Sequence, residues 1–196
     1  MNTETKITIE TFKAVTKAIA HSDNLDLMTN HLAQLLVRAL GVKGCAIYVL
    51  DPESKQLEIL ASFGLSPNYL TKGPLLADRS IAANLEGKPV IVSDVSKDKN
   101  IQYPEQAKQE GIAAILSIPI AFVDEIIGAL RLYHHEVWHV SDQDIDSLQL
   151  LAENVGLAMS YTSLCNAMYS IGEVIDAVGG GRGPYRWSCA SGDEET

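Results

Sequence analysis

The chain has 196 residues, 46% of them apolar and 20% charged, enough for one compact domain with helical extensions and too few for two independent cores. Its net charge of −10, with 15 scattered basic residues, argues against a nucleic-acid partner and an anionic membrane, since both need clustered Lys and Arg. Cys45, Cys165 and Cys189 are an odd set without CxxC spacing, so neither a disulfide framework nor a zinc-thiolate site is indicated. No apolar run reaches the roughly 18 residues of a membrane span. The opening "MNTETKITIETFK" lacks the apolar core of a signal peptide, so a cytoplasmic protein is expected.

Residues 5–20 carry Ile9, Phe12, Val15 (or Thr16) and Ile19 along one helical face. A second helix is predicted from a cap at Asp23, with Asp26 in a capping-box-like position and Leu25, Met28, Leu32, Leu35 and Ala39 as its stripe. It ends before Gly41. The period then changes. "GCAIYVLD" and "QLEILASFG" are short, apolar and β-branched, joined by the turn "DPESK", and predict a β-hairpin. From 67 to 111 the pattern is irregular: "SPNYLTKGPLLADRS" reads as loop, "SIAANLEG" as a short helix ended by Gly87, "KPVIVSDV" as a strand and "YPEQAKQEG" as a short helix opened by Pro104. Irregular stretches of this kind tend to carry binding residues.

"IAAILSIPIAF" and "IIGALRLYHH" are the longest strand candidates, made antiparallel neighbours by the tight turn at "VDE". Ser141 and Asp144 then form a capping box, after which Ile145, Leu148, Ala152, Val155, Met159 and Thr162 continue at heptad-like spacing. A helix of thirty or more residues, reaching Val178, is predicted. The remainder, "GGGRGPYRWSCASGDEET", has no period and reads as a flexible tail over 179–196. Antiparallel strands flanked by helices at both chain ends give an α+β fold with helices on one sheet face.

Taken in order, "GLSPNYL", "LEGKPVIVSDVSKD", "GIAAILSIPI" and "IIGALRLYHHEVWHVSDQDIDSLQLLAENVGLAM" resemble the GAF family of sensory domains. There a Gly-Lys-Pro precedes the third strand, an Asp follows it, a Pro sits late in the fourth, a Gly opens the fifth and a capped helix ends the fold. The resemblance implies a GAF-like, PAS-like antiparallel sheet of five or six strands, terminal helices packed on one face and a small-molecule pocket on the other. It implies pairing through the terminal helices, and gives class without ligand. The implied organisation is an N-terminal helical extension over 1–22, a GAF domain over 23–165, an extended helix over 166–178 and the tail.

"HHEVWH", His134 to His139, contains the HExxH spelling of zinc proteases, which works only where both His share one helical face. Here the segment follows a strand and precedes a helix cap, so no metal site is assigned and His135 to His139 are expected in solvent. Strand alternation gives a better candidate. One parity of the strands collects Tyr48, Ile115, Ser117, Arg131 and Tyr133, while the other is wholly apolar and belongs under the helices. An Arg between Tyr and Ser hydroxyls suits a carboxylate or phosphate, which guanidinium bonds through two donors. The competing reading is a structural pair between Arg131 and Asp94 or Glu125.

Family subtypes narrow the ligand only by exclusion. Aligned on Gly128, Tyr133 and His134 take the places of the paired residues of bilin-binding phytochrome GAF domains, but their Asp-Ile-Pro is absent and no Cys stands where a bilin attaches. The cyclic-nucleotide pattern is not reproduced, "FVDE" having the wrong spacing. The sulfoxide-reducing members use pocket cysteines, whereas Cys45 has the helix-facing parity and Cys165 and Cys189 lie in the C-terminal helix and tail. The expectation is a non-enzymatic sensory or regulatory domain with an unidentified small-molecule ligand, no assigned cofactor, a homodimer through its terminal helices and a separate output protein. A dimerisation module with a vestigial pocket and a free methionine sulfoxide reductase are the alternatives. The homodimer follows from Leu164, Met168, Ile171 and Ile175, an apolar stripe that runs past the domain and needs a partner.

Overall fold

A computed structural model describes residues 7–20, 24–77, 85–99 and 101–179. The elements in order are α1 (Ile9–Ala20), α2 (Leu25–Leu40), β1 (Gly44–Leu50), β2 (Gln56–Phe63), α3 (Pro67–Leu70), β3 (Leu75–Leu76), β4 (Val90–Val92), α4 (Pro104–Glu110), β5 (Ala114–Phe122), β6 (Glu125–His134) and α5 (Asp142–Gly179). The strands form one sheet in the order β3-β2-β1-β6-β5-β4, antiparallel throughout. This is the α+β fold expected from the sequence, and of the five or six strands expected the sheet has six.

Register decides which side chains share a face. Cys45 opposes Leu132 and Ile47 opposes Leu130, and with Leu116, Ile118 and Ile120 they make a face with no accessible surface on these residues. α1, α2 and the first half of α5 cover it, adding Val15, Leu32, Leu36, Leu148, Leu151 and Val155 to one core. Burying each such side chain contributes about 1.5–3 kcal/mol, so this layer supplies most of the stability. The opposite parity, Ala46, Tyr48, Ala129 and Tyr133, builds a second cluster with Tyr69, Leu75, Val95 and Ala107 from the irregular region.

Several local readings shift by a residue or more. Asn24 caps α2, its side chain accepting from the Leu27 N–H at 2.9 Å; Asp23 lies outside the described residues. The stripe of α2 runs through Met28, Leu32, Leu36 and Leu40, so Leu35 is only half-buried and Ala39 is exposed. Each step of four residues turns the chain through about 400°, so the buried stripe drifts around the helix and reaches Leu36 and Leu40 in place of Leu35 and Ala39. Ile9 is exposed, and Ile7, just ahead of α1, takes the buried place instead. The expected loop from Ser66 contains α3 and β3. Most of the helix expected at 80–87 and all of the tail beyond Gly179 lie outside the described residues.

The β5–β6 hairpin turns on Val123 and Asp124, both left-handed with φ of 48° and 63°. That conformation matches the twist of the strands and is the one two-residue hairpins prefer. At the other end of β6, Ser141 caps α5: its hydroxyl accepts from the Asp144 N–H at 3.2 Å and donates to the Asp144 carboxylate at 2.8 Å. The second carboxylate oxygen of Asp144, itself buried, accepts from the Ile7 N–H at 3.0 Å. One side chain therefore closes the start of α5 and pins the chain entering α1. α5 meets the hairpin at Gly156, where a side chain would stand 2.3 Å from the Ala121 carbonyl oxygen. Only a glycine allows the helix to lie so near the strand. Among the described residues no helix is long and apolar enough to cross a membrane.

Candidate functional site

The five residues singled out by strand parity are brought together on the face turned away from α5. Arg131 opposes Ser117 across β5–β6 and Ala46 across β1–β6, and its Nε donates to the Ser117 hydroxyl at 3.4 Å. Ile115 opposes Tyr133 and packs against the same cluster. The hydroxyls of Tyr48 and Tyr133 share a hydrogen bond of 3.0 Å, and the Arg131 guanidinium lies 5.7 Å from the centre of the Tyr48 ring. Arg131 is only 5% exposed. A guanidinium so buried is tolerated where hydroxyls and aromatic faces replace its hydration. Burial, and then the neighbouring Tyr133, push the Tyr48 hydroxyl well above its ordinary pKa, so it stays neutral at every physiological pH.

The competing partners of Arg131 are placed elsewhere. Asp94 holds Lys97 at 2.7 Å and accepts from the Ser96 N–H and hydroxyl at 3.0 and 2.6 Å; those bonds, Lys97 first, bring its carboxyl down to about 2. Glu125 is exposed, at the far end of β6.

Sequence reasoning missed the other wall of this face. Ser66 begins α3 as an N-cap, accepting from the Tyr69 N–H at 3.2 Å, with Pro67 in the first turn. Ser-Pro ahead of "NYL" was the available signal, since both residues favour a helix start. The turn aims Tyr69 edge-on at Tyr133, with ring centres 5.7 Å apart at 84°. Burial drives the Tyr69 hydroxyl pKa well upward as well. Lys72 folds back over it, with Nζ 3.7 Å from the Tyr69 ring centre and donating to the Tyr69 carbonyl at 2.9 Å. Tyr103 completes the wall: its hydroxyl donates to the Pro74 carbonyl at 2.8 Å, and its ring centre is 5.8 Å from Lys72 Nζ.

Glu110 ties the wall to the sheet. Its carboxylate accepts from the Ser66 N–H at 3.0 Å and from the Ser66 hydroxyl, and meets Lys43 Nζ at 3.4 Å. Burial alone would raise its pKa, but the Ser66 bonds and Lys43 outweigh burial and lower it.

His134 ends β6 in the sheet, buried, with Nδ1 accepting from the Glu136 N–H at 3.0 Å. His135 stacks on it at 4.6 Å, and Trp138 packs against it at 5.2 Å. Trp138 is therefore buried, against the expectation that all of His135 to His139 lies in solvent; its indole packs on His134 while its backbone N–H donates to the Ser93 carbonyl at 3.1 Å. His135 and His139 are exposed and lie on irregular backbone, without the shared helical face that HExxH requires. Among the described residues no cluster has the side chains to hold a metal ion. Cys45 lies on the helix side, where burial pushes its thiol pKa far up, and Cys165 is buried in α5; Cys189 lies outside the described residues.

The GAF domain family model matches residues 22–160. This chain belongs to the GAF domain family. A comparison with curated proteins finds no match. Among solved structures, the GAF domain is similar to that of a phosphoenolpyruvate-protein phosphotransferase from Coxiella burnetii, with a TM-score of 0.73 and 18% identity over 85% of this chain and 99% of that one. It is also similar to a free methionine-R-sulfoxide reductase from Neisseria meningitidis solved with its substrate, with a TM-score of 0.68 and 16% identity over 80% and 90% of the two chains. The GAF domain of the cyanobacteriochrome TePixJ gives a TM-score of 0.64 and 16% identity over 74% and 95%. At these identities the likeness establishes the GAF fold.

Proposed function

We propose that this GAF domain is a non-enzymatic sensory or regulatory module of the cytoplasm that binds a small molecule on its tyrosine-lined face and pairs with a second copy through α5. The observation that carries the ligand reading is the gathering of Tyr48, Ser117, Arg131 and Tyr133 on the sheet face away from the helices. A core built for stability alone gains nothing from an Arg there, because burying that charge costs several kcal/mol before its bonds offset it. Ile115 supplies apolar wall. The site sits within the domain read over 23–165, and the ligand enters over the irregular stretch that follows β2.

The pairing reading rests on α5. Leu157, Tyr161, Leu164, Met168 and Ile171 are all about half exposed or more, and their alternating spacing of four and three is a heptad seam. Apolar surface left in water costs about 25 cal/mol per Å², which a second helix removes. Ligand occupancy would then be read out as a change in how two α5 helices meet, and passed to a separate output protein.

Native mass spectrometry of the purified chain tests the ligand reading: a retained small molecule, lost in Arg131→Met, is expected. An empty chain that no metabolite stabilises in a thermal-shift screen favours the dimerisation module with a vestigial pocket. Light scattering tests the pairing, with a dimer expected for the wild type and a monomer for Leu164→Glu/Ile171→Glu; a monomeric wild type refutes it. The likeness to the Neisseria reductase gives the enzymatic reading its weight. The helix-side placement of Cys45 and Cys165 weighs against it, and turnover of free methionine sulfoxide abolished by Cys45→Ser would overturn the non-enzymatic reading.

A further inference from the structure

The outer face of α5 has a stricter order than its alternating spacing. Leu150, Leu157, Leu164 and Ile171 recur every seven residues, each more than half exposed. Four places after the first three stand Asn154, Tyr161 and Met168, and Ile175 continues that second row in the sequence. In heptad terms the leucine row is d and the other row is a. Val155 is buried against the sheet, and Leu157 lies about 200° round the helix from it, so the seam runs along the side of α5 away from the core.

Asn154 interrupts the apolar rows. It is half-buried, its Nδ2 donates to the Leu150 carbonyl at 2.7 Å, and among the described residues its Oδ1 accepts from no donor. A single Asn at an a position costs a coiled coil stability and fixes its register and strand number, because the same Asn of a parallel, identical helix satisfies it. In an antiparallel pair a positions face d positions. The amide would then meet Leu or Ile and be buried without a partner.

We propose that α5 pairs with the α5 of a second copy in parallel and in register, the two Asn154 side chains bonding each other across the seam. This inference rests on the pairing reading above and gives it an orientation. The partner is a copy of this chain for three reasons. The six exposed apolar side chains of the seam, at on the order of 100 Å² each, approach the roughly 800 Å² per partner of a standard stable interface. α5 has no basic residue, and nothing from 154 to 172 is charged, so two identical helices do not repel along the seam. The flanking Ala158, Ser160, Ala167 and Gly172 are small and uncharged, whereas unlike helices are matched by charges at such positions. Asn154 is also two residues from Gly156, where α5 touches the hairpin, so register is fixed where the sheet holds the helix.

Cysteine crosslinking of the intact chain tests the orientation. Leu150 and Ile171 are three heptads apart, about 31 Å along the helix, so an antiparallel pair brings at most one of them beside its own copy. Leu150→Cys and Ile171→Cys, each in a Cys189→Ser background, are oxidised separately, and both are expected to give a covalent dimer above the level of the background chain. Sedimentation equilibrium tests the polar layer. Asn154→Asp sets two carboxylates against each other, so dimerisation is weakened at least about tenfold at pH 7 and regained on acidification. Asn154→Leu dimerises at least as tightly as the wild type, which a helix merely damaged at this position would not do. A covalent dimer from only one of the two cysteines, or from neither, overturns the parallel arrangement. So does an Asn154→Asp chain that dimerises as tightly as the wild type, or an Asn154→Leu chain as weak as Asn154→Asp. In each of these cases a dimeric wild type leaves the pairing reading intact, whereas a monomeric wild type ends both.

Discussion

Gly156 and Gly172 lie on the same helix and predict opposite responses to alanine. Replacing glycine by alanine in a helix interior contributes up to about 1 kcal/mol from backbone entropy alone. At Gly172 nothing stands within 4 Å of the added Cβ, so that gain is realised. At Gly156 the Cβ meets the Ala121 carbonyl oxygen at 2.3 Å, the Ala121 carbonyl carbon at 3.1 Å and Ile120 Cγ2 at 3.2 Å. The first contact is about 1 Å short of a normal van der Waals separation. Backbone on both sides leaves no flexible side chain to give way, so α5 must lift from the β5–β6 hairpin and loosen Ala152, Val155 and Met159. Overpacking of this kind costs about 1–3 kcal/mol, which exceeds the propensity gain. Urea denaturation followed by far-ultraviolet circular dichroism reads the difference: Gly156→Ala lowers the midpoint at unchanged m value, whereas Gly172→Ala raises helicity without lowering the midpoint. A midpoint for Gly156→Ala at or above the wild type would refute the close approach of helix to hairpin.

Tyr48→Phe strands the Tyr133 hydroxyl in the core and costs about 1–3 kcal/mol, while Tyr48→Phe/Tyr133→Phe costs less than the sum of the two single changes; a double-mutant cycle in urea checks this. Glu110 has a folded-state pKa below its ordinary 4.5, so its contribution is complete above that value and is lost as pH falls through the lower folded one. Denaturation midpoints of wild type and Glu110→Gln therefore converge on acidification from pH 6 to pH 3, and a constant gap would contradict the assignment. The Thr16 hydroxyl is buried without a hydrogen-bond partner among the described residues. Thr16→Val, which keeps the shape and removes the hydroxyl, raises the unfolding free energy by about 1 kcal/mol in the same assay.

The strand half of the fold was legible because side chains alternate strictly. Once "GALRLYH" is a strand, Arg131 and Tyr133 must share a face, and the apolar parity selects which face the helices cover. Ser141 and Asp144 were legible as a cap for the same local reason. What could not be read was tertiary. Ile7 takes the buried place expected of Ile9 because the Asp144 carboxylate, far along the chain, fixes the strand of backbone entering α1. Lys72 was invisible because its place depends on a single helical turn at Pro67–Leu70, too short to show a period. Trp138 looked solvated because its packing partner, His134, belongs to a different element.

The unbroken length of α5 has a mechanical consequence. The helix is held against the sheet around Gly156 and continues for 23 residues to Gly179. At 1.5 Å per residue that arm is about 35 Å long, so each degree of tilt about Gly156 carries its far end through about 0.6 Å. A few degrees of repacking, too little to disturb the core beneath, would displace the seam residues near the tip by a couple of ångströms. Small changes at the sheet are thus converted into distances that a neighbouring chain can distinguish.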